Sequence, residues 1–249
     1  MDANAPLESK IIELEGKIKA AQLPVDLAEK LNEEISVLRL SLKSDNLFIN
    51  FENFSNYVHC ILSLPFNQET QDILDITRAK EILDKNHYGL PGVKNVVLEY
   101  LSSLILNINN KNDIARSPII CLTGLVGTGK TTLAYSIAEA LGRKFERIPF
   151  GGMGDATDLR GKSRANLDAE PGLILKSLIH ARSKNCVILL DELDRITDTG
   201  RKDIMGVLVE LLDPEQNKAF VDRYVDYPFD MSRVLFIATA NNTTNVATA

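Results

Sequence analysis

Cysteine is scarce in this sequence, with three in 249 residues, and none has a partner at redox-motif or metal-ligand spacing. Cys60, Cys121 and Cys186 lie far apart, and the last two sit inside apolar runs (IICLT and NCVILL). This pattern excludes a CxxC motif and fits reduced, buried thiols in a cytosol-like compartment. Histidine is equally sparse, and its three copies show no ligand spacing. No uninterrupted apolar run approaches the roughly 20 residues that a membrane-spanning helix needs. Basic residues are in the minority, 28 against 34 acidic ones, so the net charge is −6. That balance argues against a protein that coats nucleic acid. The start, Met1-Asp2-Ala3-Asn4, is acidic and lacks the character of a signal or transit peptide.

What is present points to a folded protein. Hydrophobic residues make up 45% and charged residues 25%, a composition that builds a core. The length suffices for one large domain or two smaller ones. From Leu7 to about Leu42 the pattern is helical: Leu7, Ile11, Leu14 and Ile18 form one apolar stripe. Pro24 interrupts at a position suited to a helix start. A second stripe then runs through Leu27, Leu31, Ile35, Leu38 and Leu42. A third helix carrying Phe51, Phe54, Val58, Ile61 and Leu62 would cover both stripes, stopping before Pro65. Further helices are expected near Ile73 to Leu83 and Val93 to Leu106, with a polar loop over Asn107–Arg116. From Pro118 the texture changes to apolar strands alternating with helices. Strands are expected at Ile119–Thr123, Phe145–Ile148, Cys186–Leu190 and Val234–Ala240, and helices at Thr131–Leu141, Leu173–Ala181 and Ile204–Leu212. Such alternation signals an α/β fold with a parallel sheet covered on both faces.

Four features carry chemistry. The run Gly124-Leu125-Val126-Gly127-Thr128-Gly129-Lys130-Thr131, followed by Thr132, satisfies G-x-x-x-x-G-K-[ST] between a strand and a helix. Glycines let the backbone N–H groups converge on phosphate oxygens beside a positive helix N-terminus. Lys130 can reach β- and γ-phosphates, and the Thr131 hydroxyl can join a Mg²⁺ shell. In Val187-Ile188-Leu189-Leu190-Asp191-Glu192, a buried strand delivers two carboxylates to the sheet end where α/β proteins bind ligands. Asp191 suits the metal shell and Glu192 the attacking water. The strand Val234–Ala240 delivers Asn241, with Asn242 as its competitor, to the same rim; an amide there can bond a γ-phosphate or the lytic water without adding charge. Finally, His87-Tyr88-Gly89-Leu90 offers an aromatic and a glycine that could wall off an adenine or, equally, end a helix.

Together with Arg160-Gly161, the runs EILDKNHYGL (Glu81–Leu90), GLVGTGKTTL, VILLDELD, LLDPEQNKAF (Leu211–Phe220) and FIATAN resemble the Lon protease family. The likeness covers essentially the whole chain. It implies an AAA+ P-loop core of three layers, preceded by a helical hairpin or three-helix region, with domains at about 1–82 and 83–249. It also implies ATP or ADP with Mg²⁺ as ligands, hexameric rings, and unfolded or damaged proteins as substrates. By the same likeness, His87, Tyr88 and Gly89 flank the adenine, and residues 124–132 bind the phosphates. Lys130, Glu192 and Asn241 then serve hydrolysis, and Thr131 and Asp191 hold the metal. A bacterial cytoplasm is the expected location, with the mitochondrial matrix or peroxisome as the alternative.

Two departures stand out. Where the family presents an aromatic-aliphatic-glycine step to substrate, this chain reads Arg164-Ala165-Asn166-Leu167-Asp168, leaving Leu167 as the apolar contact. Family members also continue into an arginine-finger segment, a fifth strand, a helical lid and a Ser–Lys peptidase. The expectation is therefore a module that binds nucleotide, does not cut proteins, and exposes Ile119–Thr123 as a sheet edge. Two other functions fit parts of the pattern, a non-hydrolysing nucleotide-binding scaffold and an AAA+ motor acting on DNA.

Overall fold

The computed structural model describes residues 5–40, 47–109 and 119–242. Leu42 and the expected loop beyond residue 109 lie outside them. The first helices are α1 (Ala5–Ala20), α2 (Val25–Leu40) and α3 (Leu47–Ser63). Ile11, Leu14 and Ile18 of α1 are buried against Leu27, Leu31, Ile35 and Leu38 of α2. From α3, Phe51, Phe54, Val58 and Ile61 close the bundle, together with Tyr57, which the stripe reading omitted. Each such side chain contributes roughly 1.5–3 kcal/mol relative to exposure, so this small bundle depends on nearly all of them. α3 ends ahead of Pro65, as the proline requires.

The chain then runs along the next unit before α4 (Ile76–Asn86) and α5 (Pro91–Asn109). Its hold is polar. Arg143 makes a two-pronged ion pair with Asp72 at 2.7 Å for each oxygen, a geometry that matches the planar guanidinium fork. The Thr70 N–H donates to Asn185 Oδ1 at 2.8 Å, and Ile73 N–H donates to the Leu141 carbonyl at 2.9 Å. α4 starts on Asp75, whose side chain accepts from the N–H groups of Thr77 and Arg78. Its buried Ala79 and Leu83 pack with Val97 and Leu101 of α5.

The remaining elements are β1 (Ile120–Thr123), α6 (Lys130–Leu141), β2 (Phe145–Pro149), α7 (Thr157–Arg160), α8 (Leu173–Ala181) and β3 (Val187–Asp191). They are followed by α9 (Arg201–Leu212), β4 (Phe220–Val221), β5 (Pro228–Phe229) and β6 (Leu235–Ala240). The main sheet is parallel, in the order β1-β6-β3-β2, and β4 and β5 form a small antiparallel pair. Among the described residues β1 pairs only with β6, so Ile120–Thr123 is the expected edge.

Side chains of the central strands alternate between two cores. Ile188, Leu190, Phe236 and Ala238 face one side, with α8, α9 and the N-terminal bundle. Val187, Leu189, Leu235 and Ile237 face the other, with α4, α5 and α6. The three-layer α/β architecture follows from this alternation, since strands covered on both faces must be apolar at every position. The expected strands and helices recur within a few residues. The four-residue α7 and the β4–β5 pair had no counterpart in the sequence reading.

Candidate functional site

Three of the four chemistry-bearing segments leave the sheet at one rim, because β1, β6 and β3 are adjacent and parallel. The loop from Gly124 to Gly129 follows β1, Asn241 follows β6, and Asp191 and Glu192 end β3. Glycine is required at Gly127 and Gly129, whose φ values of 81° and 85° lie in the left-handed region. A Cβ at Gly129 would also sit 3.1 Å from Thr132 Oγ1. Leu125 and Val126 form the exposed tip of the loop. The Thr128 and Thr132 hydroxyls donate to the carbonyls of Leu125 and Gly129 at 2.8 Å each, bracing the turn into α6. Thr131 stands half-buried in the first turn of that helix.

Lys130 is folded back over its own loop. Its ammonium donates to the carbonyls of Gly124 at 2.7 Å and Leu125 at 2.9 Å, and to Asn241 Oδ1 at 2.9 Å. Of the two asparagines after β6, it is therefore Asn241 that meets the phosphate-type loop. Its backbone N–H donates to Asp194 Oδ1 at 3.0 Å. The Asn241 Nδ2 group, although buried, has no hydrogen-bond partner among the described residues. A buried donor without an acceptor costs about 1–3 kcal/mol, so this amide has capacity for one more hydrogen bond.

Asp191 is buried and fully engaged. The Arg147 Nε and Nη2 groups of β2 both reach its Oδ2 at 2.6 Å, and the Thr239 hydroxyl of β6 donates to its Oδ1. The same Thr239 oxygen accepts from the Glu192 N–H at 2.9 Å, so one side chain aligns both acids. Glu192 adopts φ 61°, a strained conformation for a residue with a Cβ. Its carboxylate lies 3.2 Å from Arg195 Nη1. Sequence reasoning found Asp191 and Glu192 but missed Thr239, Arg147 and Arg195. The one local signal for Thr239 was a hydroxyl inside an otherwise apolar strand, two residues before Asn241.

The segment at His87 is divided. His87 is the buried C-cap of α4, with Nε2 3.0 Å from Ser136 Oγ of α6. Tyr88 is wholly exposed, and Gly89 turns the chain at φ 70°. The ring that points away from protein is thus the tyrosine, while His87 ties the segment to the helix that follows the glycine loop.

Among the described residues no group of three or more His, Cys, Asp or Glu side chains is arranged to hold a metal by itself. Asp191 and Thr131 both offer oxygen atoms, the ligand type Mg²⁺ takes, and that ion uses one or two protein oxygens and fills its octahedron with phosphate and water. No described helix is long and apolar enough to cross a membrane.

Comparison with known proteins gives the family. Residues 120–249 match the sequence model of the "ATPase family associated with various cellular activities (AAA)". Over 240 residues, 96% of its length, the chain is 40% identical to the Lon protease of Fusobacterium nucleatum, of which it spans 30%. It is 42% identical over 241 residues to the Lon protease of Clostridioides difficile, again 96% of the chain and 30% of the relative. With the Lon protease of Dictyoglomus thermophilum it shares 44% identity over 236 residues, 95% of the chain and 29% of the relative. The chain spans under a third of the length of these relatives. Its resemblance to Lon proteases thus runs from the N-terminal helices through the whole α/β unit, and the chain belongs to the AAA family of ATPases.

Proposed function

We propose that this chain is the ATP-binding and ATP-hydrolysing module of a Lon-like ATP-dependent protease, one that unfolds protein substrates and moves them toward degradation. The observation that carries the reading is the Lys130–Asn241 contact at 2.9 Å, with the Asn241 amide nitrogen left without an acceptor among the described residues. The lysine rests on carbonyls that a phosphate would replace, and the amide waits for an oxygen. In this reading the N–H groups of residues 124–132 cradle the phosphates, with Leu125 and Val126 at the tip. Lys130 exchanges its three protein acceptors for β- and γ-phosphate oxygens, and Asn241 senses the γ-phosphate. His87, Tyr88 and Gly89 form the adenine side.

Thr131 and Asp191 would hold Mg²⁺, whose charge offsets that of the phosphates. For this Asp191 must exchange part of its contact with Arg147. Glu192 orients the attacking water once it leaves Arg195, and its strained backbone, held by Thr239, sets the direction of the carboxylate. Hexameric assembly, polypeptide substrates and a cytoplasmic location belong to the same proposal. So does the division at about residue 82; because α4 packs on α6, its residues 76–82 would ride with the α/β unit.

The test is calorimetric titration with Mg-ADP and a slowly hydrolysed ATP analogue, for the parent and for Lys130→Ala. Binding by the parent that is lost or weakened at least tenfold in the variant supports the assignment. Equal binding by the two, with both folded, refutes it.

A further inference from the structure

The segment between Gly161 and Gly172 is a loop with a closed neck, and its far side is anchored to another part of the molecule. At the neck, the Lys162 N–H donates to the Glu170 carbonyl at 2.9 Å, and the Gly172 N–H donates to Asp222 Oδ2 at 2.7 Å. There is no room for a side chain at Gly172, where a Cβ would lie 2.0 Å from the Leu159 carbonyl oxygen. The tip carries Leu167, the most exposed large apolar side chain among the described residues.

Between neck and tip stands Arg164. Its guanidinium makes a two-pronged ion pair with Glu34 of α2, at 2.7 and 2.9 Å, across 130 positions of sequence. The same group lies over the ring of Tyr57 of α3, with Cζ 3.7 Å from the ring centroid. Tyr57 is itself immobilised: its ring is fully buried, its hydroxyl donates to the Val225 carbonyl at 3.0 Å, and it packs edge-on against Tyr224. Both partners of Arg164 are thus held by the helical bundle, and both sides of the ion pair are about two-thirds shielded from water. Flanking contacts reinforce the junction, as Lys30 donates to the Asp226 carbonyl at 2.9 Å and Tyr227 to Asp26 at 2.8 Å. Beside the loop, α2 and α3 border an open cleft of about 660 Å³ that reaches Val37, Phe54, Asn166 and Leu167.

We propose that Arg164 is a positioning residue that couples the helical bundle to the loop, so that bundle and ATPase core present the apolar tip Leu167 as one body. A loop tethered only at its neck would sample many tip positions, and ordering it on contact with a polypeptide would cost affinity. The stacked, bidentate Arg164 removes that cost beforehand. Lysine can replace it only in part, because an ammonium keeps the charge but has neither the fork nor the flat face. That the tip meets polypeptide rests on the function proposed above; that Arg164 holds the tip does not.

The chain has no tryptophan, so Leu167→Trp introduces a single indole reporter at the tip. In that background Arg164→Gln and Glu34→Gln should each lower the tryptophan anisotropy and raise its quenching by acrylamide. The double variant should fall no further than Arg164→Gln, and Arg164→Lys should recover only part of the loss. Thermal midpoints should stay within a few degrees of the parent, which separates a freed tip from an unfolded protein. Unchanged anisotropy in both single variants overturns the role of Arg164. Binding of a fluorescein-labelled, reduced and carboxymethylated polypeptide tests the other limb. It should weaken about fivefold in Arg164→Gln and further in Leu167→Asp. If the anisotropy falls while neither substitution alters polypeptide binding, the coupling stands and the reading of the tip as a substrate contact fails.

Discussion

Replacing Asp222 by alanine should open the neck of the Leu167 loop and destabilise the chain more than most single changes. Asp222 is fully buried, and its two oxygens accept from three backbone N–H groups: Gly172 at 2.7 Å, Tyr224 at 2.8 Å and Val225 at 3.1 Å. Burial pushes its carboxyl above the ordinary aspartate range, against the pull of those three donors. Alanine strands all three, and a buried N–H without an acceptor costs about 1–3 kcal/mol. Relief of the buried charge returns part of this, leaving a net loss of roughly 3 kcal/mol. For a chain of this size that corresponds to a fall of roughly 6–12 °C in midpoint. Asparagine should be milder, since its carbonyl can still serve Tyr224 and Val225 while its NH₂ faces the Gly172 N–H. The assay is thermal unfolding by far-ultraviolet circular dichroism, joined to hydrogen exchange of the Gly172, Tyr224 and Val225 amides. An alanine variant within about 0.5 kcal/mol of the parent, its Gly172 amide still protected, would refute the account of the neck.

Other outcomes follow from the same contacts. Thr239→Val keeps the shape but deprives Asp191 of a donor and the Glu192 N–H of its acceptor; a loss of about 1–3 kcal/mol is expected in urea unfolding, with weaker Mg-dependent nucleotide binding in calorimetry. The thiols should alkylate in order of exposure, Cys121 first, while Cys60 and Cys186, pushed up to about 12 by burial, react only as the chain opens; mass spectrometry after brief iodoacetamide treatment reads this. Burial also pushes the Tyr57 phenol up to about 12. Below about pH 10 both folded and unfolded states keep that proton and the stability is intact. Between there and about pH 12 the unfolded chain releases it first, so stability falls as pH rises. Urea midpoints across that window should fall less steeply in Tyr57→Phe, which lacks the ionising group.

Local chemistry carried much of the site from the start. Glycines at 124, 127 and 129 followed by Lys130 announce a loop whose backbone conformation is set within a few bonds, and it reappears with φ values only glycine adopts readily. The helix Leu173–Ala181 was readable to the residue, because an apolar face repeating every three or four positions is a sum over near neighbours. The strand expected at Cys186–Leu190 lies one residue later, at Val187–Asp191, and is buried at every position. Weak periodicity hid the two-residue strands β4 and β5, which exist through pairing with each other. Tyr57 was passed over because a tyrosine in an amphipathic helix has no pattern that tells a core position from a wet one.

The division between what sequence and folding each decide falls along range. By itself the sequence determined a phosphate-type loop, two carboxylates at a strand end, an asparagine at another, and stripes that must be covered. These depend on residue type and on spacings shorter than one element. Only the tertiary structure decided that Arg147 and Thr239 hold Asp191, that Lys130 rests on Asn241, and that Arg164 reaches Glu34 and Tyr57. Those pairs join elements far apart in the chain. An arginine carries the same local signature whether it ends in water or on a buried ring, and packing alone chooses between them.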